Sequence, residues 1–204
     1  MIRLEVDGAL WTVTLNRPDK ANALTAAMLE ELTGIATRAR GQAKALILTG
    51  AGRVFSAGAD LDAARAGLAT SPLWEELSGA LARAPFLTIA ALNGTLAGGA
   101  FGMALACDLR IAVPGARFFY PVMRLGFLPQ PSDPKRMQAL IGPARARMIL
   151  MSGQKIDAEE ALAWGLIDRI VASEALLDEA RGLAADALAA SPGHVAAIKA
   201  LFGA

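Results

Sequence analysis

The sequence predicts an α/β domain whose sheet is mostly buried. Apolar runs of strand length at 45–49 and 87–92 lack the polar alternation of a half-exposed strand, as expected where both faces are covered. Strand-like and helix-like segments alternate, in the order strand-strand-helix-strand, loop, helix, strand-helix-strand. The chain has 204 residues, 54% of them apolar, enough for one sizeable core but not clearly two.

Taken in order, residues 2–6 and 11–15 read as two strands joined at Asp7-Gly8, a hairpin turn pair. Asn16-Arg17-Pro18 ends the second. Thr25 is placed to cap a helix reaching Arg40, with Met28, Leu29, Leu32, Ile35 and Ala36 on one face. The strand at 45–49 leads into Gly50-Ala51-Gly52, a loop, and then into 54–61. Within that segment Asp60 can cap a short helix or serve a ligand. Ser71-Pro72 opens a helix that ends near Ala84-Pro85.

Residues 86–107 carry no charge. A transmembrane reading fails on Asn93-Gly94 and the further glycines at its middle, which split the stretch into a strand and a helix over about 100–106. Gly98-Gly99 opens that helix. The first N–H groups of a helix lack internal partners and face the positive end of its dipole, so a strand, a Gly-rich turn and a helix start together suit an anion. Gly94, Gly98 and Gly102 also fit simple close packing. Beyond it come a strand at 109–113, a turn at Pro114-Gly115 and a short extended piece at 117–119. Residues 126–134, with three prolines, read as loop. Helices are predicted at 135–140, 143–151 and 157–164, the last with Asp157 and Glu160 as a capping box. A strand at 169–171 and terminal helices at 174–190 and 195–202 complete the chain.

A formal net charge of +1 gives no electrostatic case for nucleic acid or a membrane surface, and 5% aromatic residues offer few platforms for stacking bases. Cys107 is the single cysteine, so no internal disulfide forms; this suits a cytoplasmic setting, with Cys107 a small buried hydrophobe. The N-terminus alternates like a strand and lacks a signal-peptide core. No His, Cys and carboxylate cluster has metal-ligand spacing, and residues 97–102 lack the full dinucleotide fingerprint.

Two stretches together are distinctive: Phe55-Ser56-Ala57-Gly58-Ala59-Asp60-Leu61, and Asn93-Gly94-Thr95-Leu96-Ala97-Gly98-Gly99 running on to Ala106-Cys107-Asp108. The pair resembles the crotonase superfamily, the enoyl-CoA hydratase/isomerase family. Asn16-Arg17-Pro18 with Asn22-Ala23-Leu24 resembles its early motif. Gly153, Ile156, Ala158, Ala161 and Gly165-Leu166 resemble its late one. The resemblance implies a crotonase-like fold of repeated ββα units with C-terminal helices. It implies one domain over 1–204, with about 143–204 mainly helical and shorter than usual. It implies an acyl-CoA substrate whose thioester carbonyl is polarised by two backbone N–H groups, by motif position those of Ala57 and Gly99. CoA is then expected near Lys20, Ala21, Ala57, Asp60, Leu61 and Gly98, with no further cofactor and no metal. A homotrimer or dimer of trimers is also implied, with closure of the acyl pocket from a neighbouring subunit or incomplete.

The pattern breaks at the acids. Where the family's hydratases carry two glutamates this chain has Gly102 and Val122, and Gln130 where other members place a carboxylate. Between Pro85 and Ile156 only Asp108 and Asp133 remain. Asp108 reads as structural. Asp133 is either a turn residue before Pro134 or an acid reaching the pocket. Tyr120 either donates a proton or packs. His194, the only histidine, is remote in sequence from the motifs. Isomerase, decarboxylase or related enolate chemistry is therefore expected over hydration. The alternative is a non-catalytic acyl-CoA-binding homologue.

Overall fold

Ile2–Asp7 (β1) and Leu10–Leu15 (β2) form the expected hairpin, antiparallel with Ile2 opposite Leu15. The computed structural model describes residues 1–202. Ala26–Arg38 (α1) follows, with Thr25 accepting from the Met28 N–H and the five predicted apolar residues buried. Next come Ala45–Gly50 (β3), Val54–Ser56 (β4), Leu61–Arg65 (α2) and Leu73–Ala82 (α3). Leu87–Leu92 (β5), Thr95–Ala97 (β6) and Phe101–Leu105 (α4) make the next unit; Leu109–Ala112 (β7), Arg117–Phe119 (β8) and Val122–Leu125 (α5) the one after. The remainder is Asp133–Leu150 (α6), Ile156–Asp157 (β9), Ala158–Trp164 (α7), Arg169–Ile170 (β10), Leu176–Ala189 (α8) and Pro192–Ala200 (α9).

The strands fall into two sheets. The larger runs β1-β2-β3-β5-β7-β10, parallel from β2 onward; the smaller runs β4-β6-β8-β9, with β9 antiparallel. Each middle ββα unit thus sends its first strand to the large sheet and its second to the small one. This is the repeat of ββα units that the family resemblance implies. α8 packs on β3, β5 and β7, and α3 lies between α1 and α4. Among the described residues no helix is long and apolar enough to cross a membrane.

Three expectations need correction. Residues 95–97 form a strand that the Gly-rich turn hid. The helix after Gly98-Gly99 is shorter than predicted, a 3-10 turn over Gly98–Ala100 and then α4. Finally, 126–134 is not loop throughout: α6 begins at Asp133, because Pro134 sits in its first turn, where a missing N–H costs nothing. Gly142 (φ +79) breaks α6 into the two helices expected, with Pro143 opening the second.

Asparagines lock the β3–β4 connection. The Asn93 side chain accepts from the Gly50 N–H at 3.0 Å and donates to the Gly52 carbonyl at 2.9 Å. The buried Asn22 side chain donates to the carbonyls of Ala51 and Val54, at 2.9 and 2.7 Å. The same turn presses the Arg53 carbonyl against Gly94, where a Cβ would lie 2.0 Å from that oxygen.

Candidate functional site

Strands β4, β6 and β8 are parallel neighbours, with Ser56 opposite Leu96 and Ala97 opposite Phe119. Their C-terminal ends therefore deliver residues 57–59, 98–99 and 120 to one place. Ends of parallel strands are where α/β sheets leave open backbone for a ligand.

Two glycines face each other there. Gly58 has φ +92 and Gly98 φ +56. A Cβ on Gly58 would stand 2.9 Å from the Ala97 carbonyl oxygen; one on Gly98 would stand 3.7 Å from the Gly58 Cα. Only glycine combines this closeness with left-handed backbone. Each turns the next peptide, so that the N–H groups of Ala59 and Gly99 donate to no acceptor among the described residues. The parallel bridge between Leu24 and Ala59 explains the first: Leu24 N–H binds the Gly58 carbonyl and Asp60 N–H the Leu24 carbonyl, both 2.8 Å, so the Ala59 N–H points away from it. Both residues are half-buried. Trp74 lies beneath the second, its ring 3.3 Å from where a Gly99 Cβ would be, with its indole N–H bound to the Leu68 carbonyl at 2.7 Å.

The Ala57 expectation is thereby corrected. Its N–H donates to the Ala21 carbonyl at 3.0 Å and is not free. The positive φ of Gly58 reverses which N–H is exposed, and sequence spacing does not report that rotation. The contact still brings residues 20 and 21 to the site. Lys20 is exposed at the end of a 3-10 turn, Ala21 is left-handed at φ +50, and Leu61 is 72% exposed. Asp60 is engaged within the chain on both oxygens. Oδ2 accepts from Arg17 Nη1 at 2.7 Å, and Oδ1 caps α2 through the N–H groups of Asp62 and Ala63. The Arg17 hydrogen bond, with these N–H donors, holds the carboxyl below its usual range.

Tyr120 and Asp133 meet behind the glycines. The Tyr120 ring stacks on Phe101 of α4 with centroids 5.5 Å apart. Its hydroxyl donates to Asp133 Oδ2 at 3.0 Å and accepts from the Gln130 N–H at 3.3 Å. Asp133 is fully buried, so it is no exposed turn residue. Its Oδ1 has no hydrogen-bond partner, the one such buried side-chain atom among the described residues. That oxygen lies 3.0 Å from where a Gly102 Cβ would be. Burial raises the Asp133 carboxyl from 3.8 to about 7, with Glu75 pushing the same way and the Tyr120 hydrogen bond and Arg136 opposing. Burial also raises the Tyr120 hydroxyl, chiefly, with Asp133 adding to it.

Glu75 is a carboxylate the sequence reading passed over. It accepts from both the N–H and hydroxyl of Ser132, at 3.1 and 2.9 Å, and Arg136 donates to the same hydroxyl at 2.7 Å. Gln130 reaches back to the Ala69 carbonyl at 3.1 Å. The segments around 69–75 and 130–132 are thus joined over Asp133. Its position on α3 beside Trp74 was the one available signal.

Other candidates lie elsewhere. Asp108 Oδ2 accepts from Thr88 N–H, Thr88 Oγ1 and Lys199 Nζ, all within 2.9 Å, a structural post. Cys107 donates to the Met103 carbonyl, and burial lifts its thiol to about 12. His194 is exposed and lines a groove of about 930 Å³ between α3, α8 and α9, which opens at the Leu87 end of β5 and not at the glycine pair. Among the described residues no three His, Cys, Asp or Glu side chains gather as metal ligands.

The enoyl-CoA hydratase/isomerase family profile matches residues 5–204. The chain belongs to the enoyl-CoA hydratase/isomerase family. A carnitinyl-CoA dehydratase of Citrobacter koseri is 37% identical over 204 residues, covering 96% of this chain and 77% of its own. A curated Rhodobacter capsulatus relative is 41% identical over 171 residues, and the match spans 66% of that protein's length. The crystal structure of an enoyl-CoA hydratase from Bacillus anthracis superposes with a TM-score of 0.90 at 32% identity, covering 97% of this chain and 80% of that one. The mixed α/β architecture is that of these crotonase-fold neighbours. Against this family background the Gly102–Asp133 contact stands out, because Gly102 holds the place where the resemblance puts a hydratase acid.

The raised Asp133 carboxyl predicts a stability effect. Its folded value lies above its unfolded one, so between about pH 4 and 7 the folded chain holds a proton that the unfolded chain has lost. Stability then falls as pH rises through that window, by up to about 1.4 kcal/mol per pH unit. Urea unfolding of wild type and Asp133→Asn should coincide near pH 4 and diverge in favour of the asparagine variant toward pH 8. A gap independent of pH would show that the carboxyl does not titrate there.

Proposed function

We propose that this chain binds an acyl-CoA thioester and holds its carbonyl oxygen with the N–H groups of Ala59 and Gly99. The observation that carries this is the pair of unpartnered N–H groups, each following a left-handed glycine, at adjoining strand ends. When an α-proton leaves or CO₂ departs, charge gathers on that oxygen. Two fixed donors stabilise it by roughly 3 to 4 kcal/mol each. The relatives' names, a hydratase and a dehydratase of CoA esters, support the substrate class. On this reading exposed Lys20, beside Ala21, meets CoA phosphate. No cofactor beyond the thioester is required.

The chemistry we favour is isomerisation, decarboxylation or a related enolate reaction. Gly102 has no side chain, and Val122 is apolar and buried, so neither activates water or delivers a proton. Hydration of crotonyl-CoA is expected to be at least roughly 10²-fold slower than in a relative with both acids, since each such group contributes about 10²- to 10⁴-fold. Loss of the enoyl absorbance with time measures it; hydration at a relative's rate would refute the reading of these two positions. A second reading, a binder without catalysis, draws on the complete burial of Asp133. Exchange of the α-proton of a bound saturated acyl-CoA in D₂O separates the two. An enzyme incorporates deuterium; a binder retains affinity and does not.

A further inference from the structure

The acid missing from α4 has a spatial counterpart on α6. Gly102 lies three residues beyond Gly99, which on a helix places the two positions on one face, about 5–6 Å apart. A side chain growing from residue 102 would enter the space beside the Gly99 N–H. Asp133 Oδ1 stands 3.0 Å from where that absent Cβ would be. The glycine is therefore more than a lost acid: a Cβ at 102 would crowd the carboxylate, which supplies a reason for residue 102 to have none.

We infer that Asp133 is the proton-transferring residue of this site, its carboxylate reaching from α6 into the place vacated at Gly102, with Tyr120 as its positioning residue. The inference rests on the acyl-CoA reading above. The division of the two oxygens favours it. Oδ2 is fixed by the Tyr120 hydroxyl at 3.0 Å, and that hydroxyl is fixed in turn by the Gln130 N–H and by stacking on Phe101. Oδ1 is left with no partner although fully buried. An orphaned buried carboxylate oxygen is destabilising, as expected where a ligand completes the site.

In the step, Oδ1 takes the α-proton of the thioester. The C–H electron pair becomes the Cα=C bond of the enolate, and the carbonyl π pair moves to the oxygen between the Ala59 and Gly99 N–H groups. The reverse step returns the proton, or a deuteron acquired from solvent, to Cα. A carboxyl raised to about 7 is balanced between accepting and donating at neutral pH. The groups that set its titration are Tyr120 on one side, Glu75 from α3 and Arg136 from α6 itself.

The test uses the full chain and butyryl-CoA in D₂O, with binding measured separately by calorimetry. Wild type should bind and exchange, with the rate changing along a single limb near neutral pH. Asp133→Asn should bind equally and exchange at least about 10²-fold more slowly. Tyr120→Phe should lower the exchange rate and move the pH limb, a shift that loss of packing alone does not produce. Should Asp133→Asn fail to fold, Gly102→Ala provides the second arm, because its methyl group crowds Oδ1 and should depress exchange with affinity retained. Full exchange in a folded Asp133→Asn, or in Gly102→Ala with Asp133→Asn unfolded, overturns the proposal. Wild type that binds without exchanging overturns it while leaving acyl-CoA binding intact. Wild type that binds no thioester overturns both.

Discussion

Gly58→Ala is expected to remove proton exchange on bound acyl-CoA almost entirely. Two independent costs converge on this methyl group. Its φ of +92 is outside what alanine readily adopts, and its Cβ would stand 2.9 Å from the Ala97 carbonyl oxygen, a backbone atom that cannot swing aside. Relief requires the turns at 58 and 98 to part or the 58–59 peptide to rotate. Either motion reorients the Ala59 and Gly99 N–H groups proposed to hold the oxygen. Loss of one such donor costs roughly 10²- to 10³-fold, and misaligning both should cost more. Deuterium incorporation measures the effect, and a melting curve checks that the chain remains folded. A folded variant exchanging at the wild-type rate would show that the oxygen is held elsewhere.

Gly94→Ala should have the largest effect on stability. The added Cβ would lie 2.0 Å from the Arg53 oxygen and 2.8 Å from its carbonyl carbon. That turn is immobilised on both flanks, by Asn93 on Gly50 and Gly52 and by Asn22 on Ala51 and Val54. Overpacking that displaces backbone costs about 3 kcal/mol or more, which for a chain of this size lowers the melting temperature by on the order of 10 °C. Aggregation on expression is an equivalent outcome. A variant melting within a degree or two of wild type would mean the β3–β4 turn yields freely, contrary to its hydrogen bonding.

The sequence was informative wherever one element determined its own character. Strands β3 and β5 are apolar runs, β1 and β2 alternate around a hairpin turn pair, and α1 has its five core residues at helical spacing after a capping threonine. It was uninformative where a property belonged to two elements at once. β6 is three residues between glycines, and only pairing with β4 and β8 makes it a strand. Which N–H near Gly58 is free depends on one dihedral angle and on a carbonyl at Ala21, so a motif points to the turn but not to the atom. Asp133 precedes a proline and looks like a turn. Pro134 in the first turn of a helix was the readable alternative, but the burial comes from contact with Gly102 on α4 and Tyr120 just after β8, which no local pattern around Asp133 reports. Glu75 and Trp74 enter for the same reason, from a helix whose sequence shows only an amphipathic pattern.

The two halves of the candidate chemistry are written in different materials. The proposed oxygen-holding pair is main chain, so it would survive almost any change of side chain at 59 so long as the flanking glycines keep their angles. The proposed proton carrier is a side chain, so it can come from whichever helix presents a carboxyl to the site. On this reading, the reaction could change by moving a single carboxyl group while the backbone that would hold the substrate's oxygen stays in place.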